Sequence, residues 1–434
     1  MVDFAEVPSP KSIVPVRAVG VLSLTAISIN TIIGAGIFAL PATVASLLGP
    51  ASTLAYLTAG VAVLLIALCF SEAGSRFESS GGPYVYARVA FGDFIGFEVG
   101  WMYVLARLTA VAAVSNTFSD YLGYFWPAVG HGAGRLIAIT VMIGALTAAH
   151  VAGVRLGVAV NNLFTIGKLL PLVVFCVAGL FLLDVHTYSA TPLLTAASMQ
   201  QASLLLLFAM GGFENASVPS EEVIDPRRSL PIALLVSVTS IVGLYLVIQV
   251  VAMAALPGLA TNATPLASAA RNFLGPAGGI MVTLGAALST AGSNHVNIFA
   301  GPRLLYALGR DGHLPARFAE LHPRFRTPVF SIVLYSAIAW VLAISSAFGP
   351  LAALSALARL LVYTGTCAAV PALRRRAQSM PSRFTLPGGD LIPVLALVGC
   401  AGLLTGSTAK QAIIGGEALL VGGVLYAAVH FRQR

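Results

Sequence analysis

The chain has 434 residues, of which 58% are apolar and only 9% are charged, and its mean hydropathy is +0.91. A soluble protein of this length does not need so much apolar sequence, whereas a bundle of membrane-spanning helices does, so a lipid bilayer is the expected surrounding. The formal net charge of +8 does not indicate a nucleic-acid partner, because the basic residues lie in short loops between long apolar segments.

Apolar segments long enough to cross a bilayer recur about twelve times along the chain. Residues 1–18, before the first segment, are polar and carry no signal-cleavage pattern, so we expect a cytoplasmic tail. The sequence therefore predicts an all-α membrane protein with spans at roughly 19–48, 51–74, 92–118, 133–151, 157–183, 199–219, 230–256, 275–306, 329–348, 351–371, 389–407 and 412–430.

The basic residues between these spans fall almost wholly on one side of the membrane. By the positive-inside rule that side is cytoplasmic and holds both termini, which requires an even number of spans. Arginine far outnumbers lysine and the loops are short, which suggests a GC-rich bacterium and its inner (plasma) membrane as the location. The predicted cytoplasmic side holds Lys11, Arg17, Arg76, Arg88, Arg155, Arg227, Arg228, Arg310, Arg317, Arg324, Arg326, Arg374, Arg375, Arg376, Arg383, Arg432 and Arg434, and the other side holds Arg135, Arg271 and Lys410.

The spans divide into two halves of five, followed by two additional spans. Spans 1 to 5 (19–183) and spans 6 to 10 (199–371) would form a core of two five-helix halves. A cytoplasmic loop at 372–388 would follow, and 389–434 would add spans 11 and 12 with a short cytoplasmic end.

Two apolar segments, at matching places in the two halves, contain residues that interrupt a helix. The first is Gly34–Gly36, followed by Pro41, and the second is Gly211–Gly212, followed by Pro219. Backbone groups freed at membrane depth are costly unless they line a cavity or bind something. Interrupted helices at corresponding positions mark the central site of a secondary transporter. Close helix packing through small residues is the alternative explanation.

The freed backbone offers two kinds of binding group. Because Gly34, Ala35 and Gly36 have no bulky side chains, their amides are reachable, and the following half-helix directs its positive end at them, which suits a carboxylate. A carboxylate group and an ammonium group a few ångströms apart describe an α-amino acid. The carbonyl oxygens that would meet the ammonium group are those around Ile32, Ile33, Phe208, Ala209 and Gly211.

Lys168 is the most unusual residue of the chain, because it lies well inside the fifth predicted span. A lysine at the bilayer centre costs roughly 2.5–3.5 kcal/mol on insertion scales, and charged residues at that depth are functional by default. Burial also favours the neutral amine over the ammonium ion. Snorkelling of the side chain to an interface is the alternative.

Glu214 follows the second interruption and would face the same cavity. It could titrate during a transport cycle, or it could only accept hydrogen bonds from freed backbone amides. Arg107, His295 and Arg359 are further polar residues in or near spans. An interhelical hydrogen bond is the favoured interpretation for His295. Arg359 is expected near the outer mouth, and Arg107 has no assigned role.

Three stretches resemble the amino acid–polyamine–organocation (APC) superfamily of permeases. Residues 30–41 (NTIIGAGIFALP) are similar to its first-span signature. Residues 81–101, which begin GGPYVY and end GW, resemble its entry to the third span. Residues 208–228 resemble its sixth span and the loop after it, with FAMGGFE at their start and DPRR at their end. The resemblance implies a five-plus-five inverted repeat of helices that gives alternating access around the broken spans 1 and 6.

The resemblance also implies roles for individual residues. It places the substrate carboxylate on the amides around Ala35 and Gly36, and makes Phe208 an aromatic lid over the substrate. Met210 departs from the aromatic residue that many relatives carry nearby, so the shape of that side of the pocket is undetermined. The amine would meet the carbonyl oxygens of Ile32, Phe208 and Gly211. The full predicted substrate site comprises Ile32, Ile33, Gly34, Ala35, Gly36, Phe208, Ala209, Met210, Gly211 and Gly212.

Several sodium-independent members of the superfamily carry a lysine in the context of Lys168, where its ammonium group replaces a sodium ion between spans 1 and 8. The hydroxyls of span 8 best placed to partner it are those of Ser289, Thr290 and Ser293. Protonation of Lys168 would close the site and deprotonation would relax it. The same lysine also occurs in exchangers that move no net proton, so the residue alone does not decide the coupling.

The sequence predicts a carrier and not an enzyme. It shows no nucleophile motif, no zinc-ligand spacing and no phosphate-binding glycine loop, so no cofactor, metal or ATP is expected. We predict proton-coupled symport of a neutral amino acid, with amino acid or polyamine exchange, export, and a non-transporting sensor as alternatives. A monomer and a homodimer remain equally open.

Overall fold

The computed structural model describes residues 19–77, 81–153, 158–181, 194–217, 223–375, 382 and 384–433, with only the backbone for 158–163 and 432–433. The regular secondary structure of this part of the chain is helical, apart from one isolated β-bridge between Val19 and Val223. Its α-helices are α1 Val21–Ile32, α2 Gly36–Leu48, α3 Ser52–Gly74, α4 Pro83–Phe91, α5 Asp93–Leu122, α6 Gly132–Val151, α7 Val158–Phe181, α8 Ala196–Met210, α9 Pro226–Ala255, α10 Pro265–Arg310, α11 Val329–Ser345, α12 Phe348–Arg375, α13 Leu391–Leu404 and α14 Ala409–Gln433.

Most of these helices are apolar enough to cross a membrane. Within the described residues, nine helical segments have the required length and composition. Three shorter apolar helices, α1, α11 and α13, accompany them. The prediction of an all-α protein with many spans is confirmed. The number twelve and the cytoplasmic position of the termini stay predictions.

The helix interruptions are present where the sequence places them. α1 ends at Ile32 and α2 begins at Gly36, so the first span is two half-helices joined by an irregular segment. α8 ends at Met210, and a short 3₁₀ helix, Phe213–Ser217, follows after Gly211 and Gly212. Pro219, which we expected to close the second interruption, lies outside the described residues.

The third and eighth predicted spans can be compared with the helices observed. The third span, predicted at 92–118, continues to Leu122 as α5, and the separate helix α4 precedes it. The eighth, predicted to begin at 275, starts at a kink: the backbone of α10 departs from helical geometry at Gly275, with φ +70°, so α10 consists of a short helical segment followed by the span. The segment before the kink, 265–274, contains the polar residues Arg271 and Asn272.

α5 forms the centre of the bundle. It packs against α10 and α12, while α3 packs against α9 and α7 against α10. α6 and α14 lie outside and keep large apolar side chains such as Ile137, Val141, Leu420 and Val424 exposed, as helices that face lipid do. The site described next lies where α1, α2, α8 and α10 approach the central helices.

Candidate functional site

The two helix interruptions pack directly against each other. A Cβ atom built on Gly36 would lie only 2.5 Å from the Cα of Ala209, so no larger residue fits at the start of α2. Gly212 has φ +116°, and a Cβ atom there would lie 2.6 Å from the carbonyl oxygen of Thr31. The Thr31 hydroxyl donates to the Gly212 carbonyl at 3.1 Å. The interruptions that are distant in sequence therefore form one structural centre.

Opposite ends of two half-helices meet at this centre. The first amides of α2, beginning at Gly36, have no acceptor within their own helix, and the last carbonyls of α8, up to Met210, have no donor within theirs. The helix dipoles put partial positive charge at the first end and partial negative charge at the second. The predicted arrangement of amides from Gly34 to Gly36 near carbonyls from Phe208 to Met210 is thus compatible with a zwitterion.

Lys168 reaches the first interruption from α7 and is 1% exposed. Its Nζ donates to the carbonyl oxygen of Asn30 at 2.5 Å and to that of Ile33 at 2.9 Å. The ammonium group therefore satisfies two carbonyls that the end of α1 leaves without helical donors. Among the described residues, no cluster of three or more His, Cys, Asp or Glu side chains could hold a metal ion in its place.

The three hydroxyl groups on α10 that we predicted as partners of Lys168 differ in the hydrogen bonds that they make. Ser289 Oγ donates to the carbonyls of Ile33 at 3.2 Å and Gly34 at 3.3 Å, so it shares an acceptor with Lys168. Thr290 donates to the carbonyls of Ala286 and Ala287 in its own helix. Ser293 Oγ is buried without a hydrogen-bond partner in the described part of the chain, and a Cβ on Gly34 would lie 3.2 Å from it. The Ser293 hydroxyl is therefore available to a ligand at Gly34.

Glu214 anchors the second interruption. Its Oε2 accepts from the amide of Gly212 at 2.8 Å and from the Tyr363 hydroxyl at 2.8 Å. Its Oε1 lies 3.5 Å from Nη1 of Arg359, and both side chains are buried. Of the two roles considered for Glu214, the structure shows the backbone contact.

Arg359 lies buried beside the second helix interruption, and its expected place near the outer mouth stays a prediction. A Cβ atom built on Gly211 would collide with its guanidinium group. A cation of the protein itself thus occupies the space next to the carbonyl that we assigned to the substrate amine. The Ile32 carbonyl already accepts a hydrogen bond from the Tyr245 hydroxyl at 3.5 Å, and the assignments of Ile32 and Phe208 to the amine stay predictions.

The side chains predicted to shape the pocket are buried. Phe208 packs edge-on against Phe348 at the start of α12, with ring centroids 5.7 Å apart. Met210 and Ala209 are at most 2% exposed. The lid role of Phe208 and the substrate roles of its neighbours stay predictions.

Two residues without a firm assignment prove to have interhelical partners. The ring of His295 stacks on His150 of α6 at 4.6 Å between centroids, and its carbonyl oxygen lies 3.1 Å from Nε2 of His150. Arg107 contacts the hydroxyl of Tyr103 at 2.7 Å and the side-chain oxygen of Asn215 just after the second interruption. Arg107 therefore lies close to the site, a position that its mid-span charge hinted at.

The Glu214–Arg359 pair is the main feature that sequence reasoning missed. Both residues are charged within apolar spans, which marks each as functional. Nothing in the sequence joins them, because they lie in different helices far apart along the chain. Their pairing is a property of the tertiary structure alone.

Comparison of the sequence with known proteins indicates the same kind of function as the geometry of the site. The sequence model of a family described as amino acid permease matches residues 19–408. A methylthioribose transporter of Bacillus subtilis (strain 168) is 28% identical over 396 residues, covering 88% of this chain and 86% of the relative. A branched-chain amino acid permease of the same strain is 27% identical over 412 residues, covering 89% and 87%. A serine/threonine exchanger of that strain is 27% identical over 416 residues, covering 94% of both chains.

Proposed function

The chain belongs to the amino acid permease family of the APC superfamily, an integral membrane protein family of transporters, and we propose that this member carries a neutral amino acid across the plasma membrane by alternating access, coupled to protons. The observation that supports this most directly is the contact between Gly36 and Ala209, which brings free amides and free carbonyls together. The side with Arg310 would face the cytoplasm, together with both termini.

The substrate would bind through its backbone groups. Its carboxylate would accept from the amides of Ala35 and Gly36 and from the Ser293 hydroxyl, which is buried without a partner among the described residues. Its amine would donate to the carbonyls of Ile32 and Phe208. The rings of Phe208 and Phe348 would cover an apolar side chain.

A neutral side chain fits the charges around the second interruption. Glu214 already binds Gly212, Tyr363 and Arg359, so its carboxylate is not free to receive a cationic substrate side chain. The guanidinium of Arg359 next to Gly211 would also repel such a side chain. Cationic amino acids and polyamines are therefore the less favoured substrates.

Lys168 would supply the proton coupling. When protonated, it ties α7 to the carbonyls of Asn30 and Ile33 and holds the two half-helices in one arrangement. A neutral amine binds these carbonyls less strongly, because hydrogen bonds from charged donors are roughly twice as strong as neutral ones. Loss of the proton would let α1 and α2 change their relative position.

Exchange without net proton movement is the second candidate. It is favoured by the similarity to a serine/threonine exchanger over 94% of both chains. In that case the ammonium group of Lys168 would remain charged throughout and act as a fixed support for the carbonyls.

The purified protein, reconstituted in liposomes, can be screened with all amino acids for counterflow and for uptake driven by an inward proton gradient. We expect accumulation of a neutral amino acid, and its loss in Lys168→Ala. Lys410→Ala removes an exposed lysine and is the matched control.

Counterflow without gradient-driven accumulation would show an exchanger and contradict proton coupling. If no amino acid is transported in either assay while the protein remains folded, the proposal of amino acid transport itself is wrong. Unchanged pH dependence in Lys168→Ala would remove Lys168 from the coupling mechanism.

A further inference from the structure

Arg107 is a buried cation whose charge no carboxylate neutralises among the residues that the structure describes. It lies in the middle of α5 and is 3% exposed. Its Nη2 contacts Tyr103 and Asn215, both uncharged, and its guanidinium lies 4.5 Å from the centre of the Tyr103 ring. Its Nη1 is buried with no hydrogen-bond partner in the described part of the chain.

The other buried arginine nearby has a different environment. Arg359 forms an ion pair with Glu214, so the charges of the two residues compensate each other. A buried charge without such a partner carries most of its desolvation penalty, which amounts to several kcal/mol per ion. Such a charge is therefore expected to meet an anion during the working cycle of the protein.

Arg107 lines a cavity of about 260 Å³. Two further arginines on α10, Arg303 and Arg310, line the same cavity. Arg303 stacks on Phe299 with 3.5 Å between its guanidinium carbon and the ring centre, and Arg310 is 66% exposed. A cavity of ~150 Å³ holds a benzene molecule, so this one admits a molecule of amino-acid size.

The cavity ends beside the second helix interruption. Asn215, which Arg107 contacts, follows the Gly211–Gly212 segment and belongs to the 3₁₀ helix after it. The arginines thus run from an exposed position at the end of α10 to a buried position next to the candidate substrate site. The positive-inside rule explains Arg303 and Arg310 near the end of a span. It does not explain Arg107 in the middle of one.

We propose that this cavity is a second, inner binding site for the carboxylate group of the transported amino acid, with Arg107 as its principal ligand. This inference rests on the proposed function. A zwitterion would enter or leave on the side of Arg310 with its carboxylate directed at the arginines, and a cationic molecule would be repelled. The site would therefore contribute to selection against cationic substrates.

The charge preference of the cavity can be measured with a cysteine at Ala307, which lines it. The full-length variant Ala307→Cys is reacted with an anionic reagent, 2-sulfonatoethyl methanethiosulfonate, and with the cationic trimethylammonioethyl analogue. The ratio of the two rates is divided by the ratio for 2-mercaptoethanol in solution. The four native cysteines are buried, and the protein without the new cysteine gives their background rate.

We expect the corrected ratio to favour the anionic reagent by about tenfold or more, because positively lined clefts raise local anion concentrations by 10–10³. Arg107→Gln should lower the ratio several-fold and Arg107→Lys should largely preserve it. Arg324→Gln, which removes a surface arginine outside the cavity, should leave it unchanged. A corrected ratio near one in Ala307→Cys without a further substitution overturns the proposal. An unchanged ratio after Arg107→Gln overturns it as well.

The chemical class of the ligand is tested by asking which added compounds protect the cysteine at position 307 from the reagents. L-Serine and L-leucine are compared with ethanolamine and 3-methylbutylamine, which lack only the carboxylate. Protection by an amino acid and not by its amine supports a carboxylate site, and equal protection by both, or by neither, overturns it. Counterflow of the same two amino acids tests the proposed function separately, because the charge preference is measured without transport.

Discussion

Lys168 and Ser289, on different helices, donate to the same oxygen atom, the carbonyl of Ile33, at 2.9 Å and 3.2 Å. This oxygen lies in the irregular segment between α1 and α2, where no helical donor reaches it. Three separate parts of the chain are therefore joined at one backbone group. Any change in the position of α1 must break or rearrange both contacts.

The first prediction concerns these two donors. Ser289→Ala leaves Lys168 on the Ile33 carbonyl, so we expect a loss of only about 1 kcal/mol of stability. Lys168→Met removes the stronger, charged donor and leaves the Asn30 carbonyl without it, so the loss should be larger, roughly 1.5–3 kcal/mol for each hydrogen bond. Thermal unfolding of the single and double variants in detergent measures both effects. Strictly additive effects would contradict the shared acceptor.

The second prediction concerns the contact between the interruptions. Gly36→Ala places a methyl group about 2.5 Å from the Cα of Ala209, so α2 and α8 must separate. We expect transport to fall by at least about tenfold, which corresponds to ~1.4 kcal/mol. Gly243→Ala in α9 is the control, because nothing lies within 4 Å of a Cβ atom there. Normal transport by Gly36→Ala would show that the contact is not required.

The third prediction concerns Glu214 and Arg359. Removal of one partner of a buried ion pair leaves the other charge uncompensated and costs about 3–5 kcal/mol. Glu214→Gln and Arg359→Gln should each lower the unfolding temperature markedly. The double variant should be less destabilised than the sum of the single effects, because it leaves no unpaired charge. Additivity within ~0.5 kcal/mol would indicate that the pair contributes little.

The fourth prediction concerns pH and the segment after α10. Burial, together with the nearby Arg88 guanidinium, lowers the pKa of His313, while Asp93 and Asp311 act in the opposite direction and His430 adds to the lowering. The folded protein therefore binds this proton less readily than the unfolded chain, whose histidines have a pKa of about 6.5. Stability from neutral His313 is present above that pH and decreases as the pH falls below it.

The measurement is the unfolding temperature at pH values above and below this range. We expect His313→Gln to lose less stability on acidification than the unsubstituted protein. His131→Gln, at an exposed position, is the control. An equal loss in all three proteins would exclude His313 as the source of the pH dependence.

Sequence reasoning located the parts of the site but not all of their partners. Gly34, Gly36, Gly211 and Gly212 favour interruptions because glycine in a helix costs conformational entropy, and this local effect is visible in the sequence. Lys168 can also be recognised from the sequence alone, because a lysine within an apolar span is rare.

What the sequence did not reveal were contacts between residues that lie far apart along the chain. Arg359 could be recognised as an intramembrane charge, but its position next to Gly211 depends on how α12 packs against α8. The helical segment 265–274, before the kink at Gly275, was not predicted because it is too short to be recognised as a span. Pairing and packing require the tertiary structure, which no single segment encodes.

The partners of the buried charges have a consequence for synthesis. Arg107 and Asn215 are 108 residues apart. At a translation rate of ~5–20 residues per second, α5 enters the membrane roughly 5–20 s before that partner exists. During this interval the Arg107 charge lacks Asn215, and a central arginine costs ~2.5–3.5 kcal/mol on insertion scales. We therefore expect α5 to enter lipid less readily alone than together with the span that brings Asn215.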